Sequence, residues 1–267
     1  MSRPDVPPFT AIVLAAQRDG RVDPLAAEAG VANKSLAPIQ GAPLVRHVVD
    51  ALLATPSLTR IRIVVEPQAE AAIAEAMPRG APVDFVTAAD NLADSVHAAA
   101  VGVGGPMLIT TSDNVLLTPG AVRAVLAPLA AGADVTLAVA TRAAVRAAHP
   151  EGQRRFYRFA DDAYSNCNLY ALAGPGALPA AESFRSGGQF AKKPLRMIAA
   201  LGPVNLALML LGRLTLRGAL RRVSRGFGLR VEPVVLADGS HAIDVDNART
   251  YACADALLAR RRQALAA

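Results

Sequence analysis

Tryptophan is absent from this chain of 267 residues, and aromatic residues together make up 4% of it. That scarcity argues against a platform of stacked rings for single-stranded nucleic acid. The core has to be packed from Ala, Leu and Val instead. Cysteine occurs twice, at Cys167 and Cys253, and neither has a neighbour at CxxC spacing. This argues against zinc and iron–sulfur sites and favours a reducing, cytoplasmic setting. The four histidines, His47, His97, His149 and His241, form no HxxxH or HExxH pattern, so zinc hydrolysis has little support. The most apolar run, MIAALGPVNLALMLLG (197–212), is interrupted by Pro203 and Asn205. It falls short of the roughly 20 residues that cross a bilayer, so no membrane span is expected. The opening MSRPDVPPFT has no apolar stretch of signal-peptide length, and export is not expected.

Hydrophobic residues make up 52% of the chain and charged ones 19%, enough for a large core. The net charge of +6 is unevenly placed. Nine Lys and Arg lie between Lys192 and Arg230, a stretch with no Asp or Glu. The rest of the chain is slightly acidic. A local anionic partner is expected, and no nucleic acid.

Apolar runs rich in β-branched residues predict strands at 10–16, 60–66, 83–88 and 106–113. Between them, helical spacing appears at 42–55, 69–77, 92–103 and 119–129. Strand and helix alternating at these lengths predict an α/β fold with βαβ units and a parallel sheet. The second half predicts strands at 133–142, 154–160, 165–172, 229–237 and 241–246, and a closing helix at 248–265. The stretch from about 190 to 225 reads as two or three helices. No internal repeat or linker is evident, and one domain spanning 1–267 is expected, with a basic helical insertion at about 186–228.

In open α/β sheets ligands collect beyond the carboxyl ends of the strands. Asp113 leaves such a strand in TTSDNVLLTPG, too far upstream to cap the helix near Thr118. Asp244 and Asp246, in AIDVDNART, fall on one face if the segment is a strand. Asp246 has an alternative role as cap of the final helix, but that leaves Asp244 unexplained. Like charges this close call for a cation between them, and with Asp113 a Mg²⁺ site is expected. Lys34 is either a solvated lysine or a point charge for a phosphate.

AIVLAAQRDGR, followed by NKSLAPIQGAPLVRHVVDAL, resembles the opening of GT-A-like nucleotidyltransferases, the sugar-nucleotide pyrophosphorylase superfamily. LITTSDNVLLTP resembles their metal-binding aspartate strand. IDVDNARTYACADAL resembles the closing motif of the molybdenum-cofactor guanylyl- and cytidylyltransferase branch. The resemblance frames residues 11–258. It implies a Rossmann-like GT-A fold with a mostly parallel sheet flanked by helices, and Mg²⁺-dependent transfer of NMP from an NTP, CTP or GTP, to a phosphorylated acceptor.

Carried over residue by residue, it implies that Leu14, Ala15, Ala16, Gln17 and Gly20 wrap the nucleotide through backbone amides. Arg18 and Lys34 neutralise its phosphates. Asp90 to Ser95 sit where relatives touch the base. Asp113 holds Mg²⁺ with Asp244 or Asp246, and Asn166 and Asn168 meet the acceptor. Gln17 stands where relatives have a glycine, and the segment VDPLAAEAGVA places Lys34 later than usual.

Three readings stand for the basic segment: solvated helix faces, an acceptor lid bringing Lys192, Lys193 and Arg196 to a phosphate, or an interfacial helix on anionic lipid across 190–227. The last implies a protein peripheral to the inner membrane face. A sugar phosphate or a lipid-headgroup phosphate is the favoured acceptor, with the molybdenum cofactor as alternative. A nucleotide-binding or membrane-docking protein without turnover is a further alternative. A glycosyltransferase of the related fold is a third, since Asp244-Val245-Asp246 matches a DxD string but lies at the wrong end of the chain.

Overall fold

The computed structural model describes residues 6–17, 23–185, 207–208 and 211–266. Its first half contains β1 (Phe9–Leu14), α1 (Pro24–Ala29), the short hairpin of β2 (Pro38–Ile39) and β3 (Ala42–Pro43), and α2 (Leu44–Leu53). β4 (Leu58–Val65), α3 (Pro67–Glu75), β5 (Val83–Thr87), α4 (Leu92–Ala100), β6 (Met107–Thr111) and α5 (Pro119–Ala130) follow. The second half has β7 (Val135–Thr141), α6 (Arg142–Ala148), β8 (Tyr157–Arg158), β9 (Ala163–Leu172) and a 3-10 segment over Pro175–Phe184. It closes with α7 (Leu216–Phe227), β10 (Val231–Leu236), a second 3-10 turn at Gly239–Ala242, and α8 (Ala248–Ala266).

One sheet runs in the order β10-β7-β9-β6-β1-β4-β5, with β8 paired to β9. β1, β4, β5 and β6 are mutually parallel, as are β7 and β10. β9 enters between β6 and β7 and runs antiparallel to both. The fold is therefore α/β with a mostly parallel sheet covered by helices on both faces.

The period of two along β1 explains how one strand feeds two cores. Ala11 and Val13 point to the layer built from α2, α3, α5 and α8, whereas Ile12 points to the layer under α4 and the first 3-10 segment. Burying an Ile or Leu of this kind contributes about 1.5–3 kcal/mol, which outweighs the modest β or helix propensity of any single residue. Helix α5 starts where Thr118 accepts a hydrogen bond from the Ala121 amide (3.2 Å) and Pro119 fills the first position.

Two expectations need correction. Residues 241–246 are not a strand. Ser240 accepts the Ile243 amide (3.0 Å) and closes a 3-10 turn, and all residues from Gly239 to Val245 are buried. Burial of every side chain in a short segment mimics a strand's apolar pattern without its pairing. Likewise, the expected strand at 154–160 is reduced to Tyr157–Arg158, and TRAAVRAAH ends in helix α6. Among the described residues no helix is long and apolar enough to cross a membrane.

Candidate active site

The site forms at the carboxyl ends of β1 and β6. These strands are neighbours in register, with Leu14 opposite Thr111, and the Ser112 amide donates to the Leu14 carbonyl (3.0 Å). Asp113 therefore emerges directly beside the loop that follows β1. The Val245 amide donates to the Asp113 carbonyl (3.1 Å), and this bond draws the 243–246 segment against it.

Lys34 arrives from the other side. Asn33, wholly buried, caps a single 3-10 turn at Lys34–Leu36 by accepting the Ser35 amide (2.7 Å). Its side-chain nitrogen donates to the Ala15 carbonyl (3.1 Å) and to Glu66 Oε1 (2.8 Å). Ser35 and Ser112 share a hydrogen bond (2.7 Å). Held in this way, the Lys34 ammonium donates to Asp113 Oδ2 at 2.6 Å and stands 3.7 Å from Asp246 Oδ1. Burial alone would lower its pKa, but the charge and hydrogen bond of Asp113, then Asp246, outweigh burial and raise it. The lysine is a permanent cation here, not a solvated one.

The three aspartates differ in setting. Asp113 also accepts a hydrogen bond from the Thr111 hydroxyl (2.5 Å). Asp244 is buried, and its Oδ2 accepts from the Asn168 side-chain amide (2.7 Å). Burial, then the charges of Asp113 and Asp246, push its pKa well above the usual carboxylate range. Its Oδ1 is buried with no partner. Asp246 is exposed rather than on a common strand face with Asp244. It does not cap the last helix: Asn247 does, accepting the Thr250 amide at 3.2 Å, while the Thr250 hydroxyl accepts from the Asp246 and Asn247 amides.

Asn168 occupies a left-handed conformation (φ 45°) where the register between β7 and β9 shifts. Such a shift re-aims a side chain. Asn166 donates to Asn168 Oδ1 (2.8 Å) and to the Tyr170 hydroxyl. Burial pushes the Tyr170 phenol far above its ordinary value, so it stays neutral. The two asparagines expected at the acceptor thus form a relay ending on Asp244.

The loop after β1 departs from its expected role. The Ala15 amide is taken by the Val64 carbonyl (2.9 Å) and the Gln17 amide by Glu66 Oε2 (3.2 Å). The Gln17 side chain bonds back to the Ala32 carbonyl (2.6 Å). Two of the amides expected to wrap a nucleotide are therefore engaged within the protein. Ser95 likewise serves its own loop, accepting the Ala89 amide (3.0 Å), and Asp90 is exposed. Leu14 is half-buried and Ala16 exposed at the crevice. Arg18, Gly20, Lys192, Lys193 and Arg196 lie outside the described residues. Of the basic segment, α7 is described: Leu216 and Ala219 are buried, and Arg217 reaches Glu232 (3.6 Å).

Asn33, Glu66, Thr111 and the Ser35–Ser112 pair are absent from the sequence-based site. Asn33 was the most accessible of them, as the polar residue beside Lys34 and before a turn. Glu66, at the end of a strand, carried no motif.

The donor type at the site is carboxylate oxygen, the type that hard cations take. One of these oxygens, Asp244 Oδ1, is buried and unpartnered, and burial with the charges of Asp113 and Asp246 disfavours ionisation of that group. Among the described residues no three His, Cys, Asp or Glu side chains stand close enough together to hold a metal ion. Lys34 is the local counter-charge.

The profile of the MobA-like NTP transferase domain matches residues 11–243. No curated protein sequence matches significantly. Among solved structures, a hypothetical transferase from Thermus thermophilus is 28% identical, with a TM-score of 0.74, covering 91% of this chain and 98% of that one. A CMP:2-keto-3-deoxy-manno-octonic acid synthetase complexed with CTP shares 14% identity (TM-score 0.58; 95% of this chain, 99% of that one). A 4-diphosphocytidyl-2C-methyl-D-erythritol synthase from Anaerococcus prevotii shares 10% (TM-score 0.58; 96% and 100%). The last two show a shared fold.

Proposed function

The chain belongs to the family of MobA-like NTP transferase domains, and from that premise we propose that it transfers a nucleoside monophosphate from an NTP to the phosphate of a small acceptor, releasing pyrophosphate. The observation that carries the reading is the convergence of Lys34, Asp113, Asp244 and Asp246 beyond the carboxyl ends of β1 and β6. CTP is the first donor to test, because two neighbours of this fold are named for cytidylyl chemistry. GTP is second, on the resemblance to the molybdenum-cofactor branch. A sugar phosphate or lipid-headgroup phosphate is the acceptor, with the molybdenum cofactor as the alternative.

Asp113 and Asp244, with Asp246 at the rim, are the residues that would hold Mg²⁺. Bound there, the ion would screen phosphate charge and stabilise the leaving pyrophosphate. The chain's own part is positioning and neutralisation. An acceptor phosphate is already anionic at neutral pH, so no residue has to act as general base. Lys34, fixed by Asn33 and always protonated, offers a mobile charge that moves from Asp113 to an incoming phosphate. Asn168 keeps Asp244 turned to the site. The ends of β1 and β6, the Lys34 turn and the 243–246 segment packed on Asp113 hold these groups in one frame, which favours an in-line approach of two polyanions.

The test is a pyrophosphate-release screen of the four NTPs against phosphorylated acceptors. Asp113→Asn should lose at least about a hundredfold in rate with the fold intact. Full activity in that variant contradicts the assignment. The engaged amide of Gln17 favours a second reading, nucleotide binding without turnover. Saturable NTP binding with no pyrophosphate release from any pair would support it.

A further inference from the structure

A cavity of about 320 Å³ lies on the sheet face away from α5 and α8. Alternate residues of β6, β7 and β9 form its floor, and α4 and the first 3-10 segment form one wall. The other wall is α7, through Leu216, Leu220, Val223 and Phe227. Spacings of four, three and four put these side chains on one stripe of the helix. The apolar stripe of α7 is therefore turned towards the cavity. The cavity is partly open to solvent and has the size of a small-molecule site.

Two lining residues belong also to the charged site. The Thr111 hydroxyl donates to Asp113 Oδ1, and the Asn168 amide donates to Asp244 Oδ2. The apolar cavity and the carboxylates thus share a wall. The exposed lining is mostly hydrocarbon, and the polar side chains of Thr111, Asn166, Asn168 and Tyr170 gather at the β6 and β9 side, so a sugar's hydroxyls would lose water over most of the surface.

We propose that the cavity receives the apolar body of the acceptor, and that the acceptor is an amphiphilic phosphomonoester whose phosphate reaches Lys34 while its hydrocarbon lies over β9. This rests on the transferase reading and narrows its acceptor class. In the transfer, an acceptor phosphate oxygen bonds to the α-phosphorus of the NTP. The bond from that phosphorus to the oxygen bridging the β-phosphate breaks. Pyrophosphate leaves with the electron pair, and no proton has to move.

The full chain is titrated calorimetrically with ethyl, butyl, hexyl and octyl phosphate. The expected dissociation constant falls about three- to fourfold per methylene until the cavity is filled. Leu137→Trp, which fills the cavity from β7, brings the plateau to shorter chains, and Leu137→Ala moves it to longer ones. A flat series in the unaltered protein overturns the inference. Co-sedimentation with phosphatidic acid in phosphatidylcholine vesicles assigns a lipid source; binding of dissolved alkyl phosphates without it assigns a free one.

The same phosphates are offered as acceptors with each NTP. A length-dependent binding series with no pyrophosphate release would defeat the transferase reading and leave the amphiphile site standing. Pyrophosphate release with sugar phosphates, together with a flat alkyl series, would do the reverse.

Discussion

The ammonium of Lys34 stands 2.6 Å from Oδ2 of Asp113, 79 positions further along the chain. Neither side chain is more than 17% exposed, so water screens the pair weakly. Each group makes the other tolerable in a partly dehydrated crevice. The pair also holds a cation ready at the point where phosphates are proposed to arrive.

Lys34→Met leaves Asp113 without that partner. Stability should fall by about 2 kcal/mol, the usual worth of a hydrogen bond between charged groups, read from urea denaturation. Pyrophosphate release should drop by about 10²–10³. Wild-type turnover in a folded Lys34→Met variant would remove the lysine from the mechanism.

Asp244 presents the opposite balance. Its carboxylate is buried beside two others, with one oxygen unpartnered. Asp244→Asn keeps an acceptor for Asn168 and removes a carboxyl group that the fold must either ionise beside like charges or protonate. At pH 7.5 without divalent metal, the variant should melt about 2–4 °C higher, the shift that 1 kcal/mol produces in a chain of this size. Its activity should fall at least about a hundredfold. A lower melting temperature would show that the charge stabilises the fold.

Asn168 combines a backbone and a side-chain role, and two substitutions separate them. Asn168→Gly accepts the left-handed φ but loses the bond to Asp244. Asn168→Ala loses the bond and adds about 1–2 kcal/mol of backbone strain. Both should show the same fall in kcat, whereas only the alanine variant should be strongly destabilised in thermal melts. Equal stability of the two would remove strain from the account.

His241 gives a pH dependence. Burial, chiefly, and the nearby Arg261 hold its pKa below the ordinary value of 6.5, although Asp238 pulls the other way. The unfolded chain takes up the proton first as pH falls, so stability is lost below pH 6.5 down through the folded value. His241→Gln should retain more of its stability between pH 7.5 and 5 than the unaltered protein, measured by urea midpoints at each pH. Parallel losses would exclude His241 as the source.

The parallel half of the sheet was legible because each strand is a run of β-branched residues bounded by turn signals, as in TAIVLAA and RIRIVVE. The position of β9 was not. Its sequence announces a strand, but its place between β6 and β7 is decided by pairing with residues far away in the chain. At the site, Lys34 and the three aspartates stood out as charges in an apolar context. Asn33, Glu66 and Thr111 did not, because their importance comes from partners that only the folded chain supplies. The alternation in HAIDVD misled for a similar reason: it records burial on all sides, not a pleated ribbon.

Asn247 takes charge of the first turn of the last helix, and this separates two tasks that adjoining residues might have shared. The acidic group one position earlier can be exchanged, lengthened or neutralised without unwinding the nineteen residues that follow it. The rim of the crevice is thus open to retuning for different partners, while the scaffold behind it keeps its anchorage.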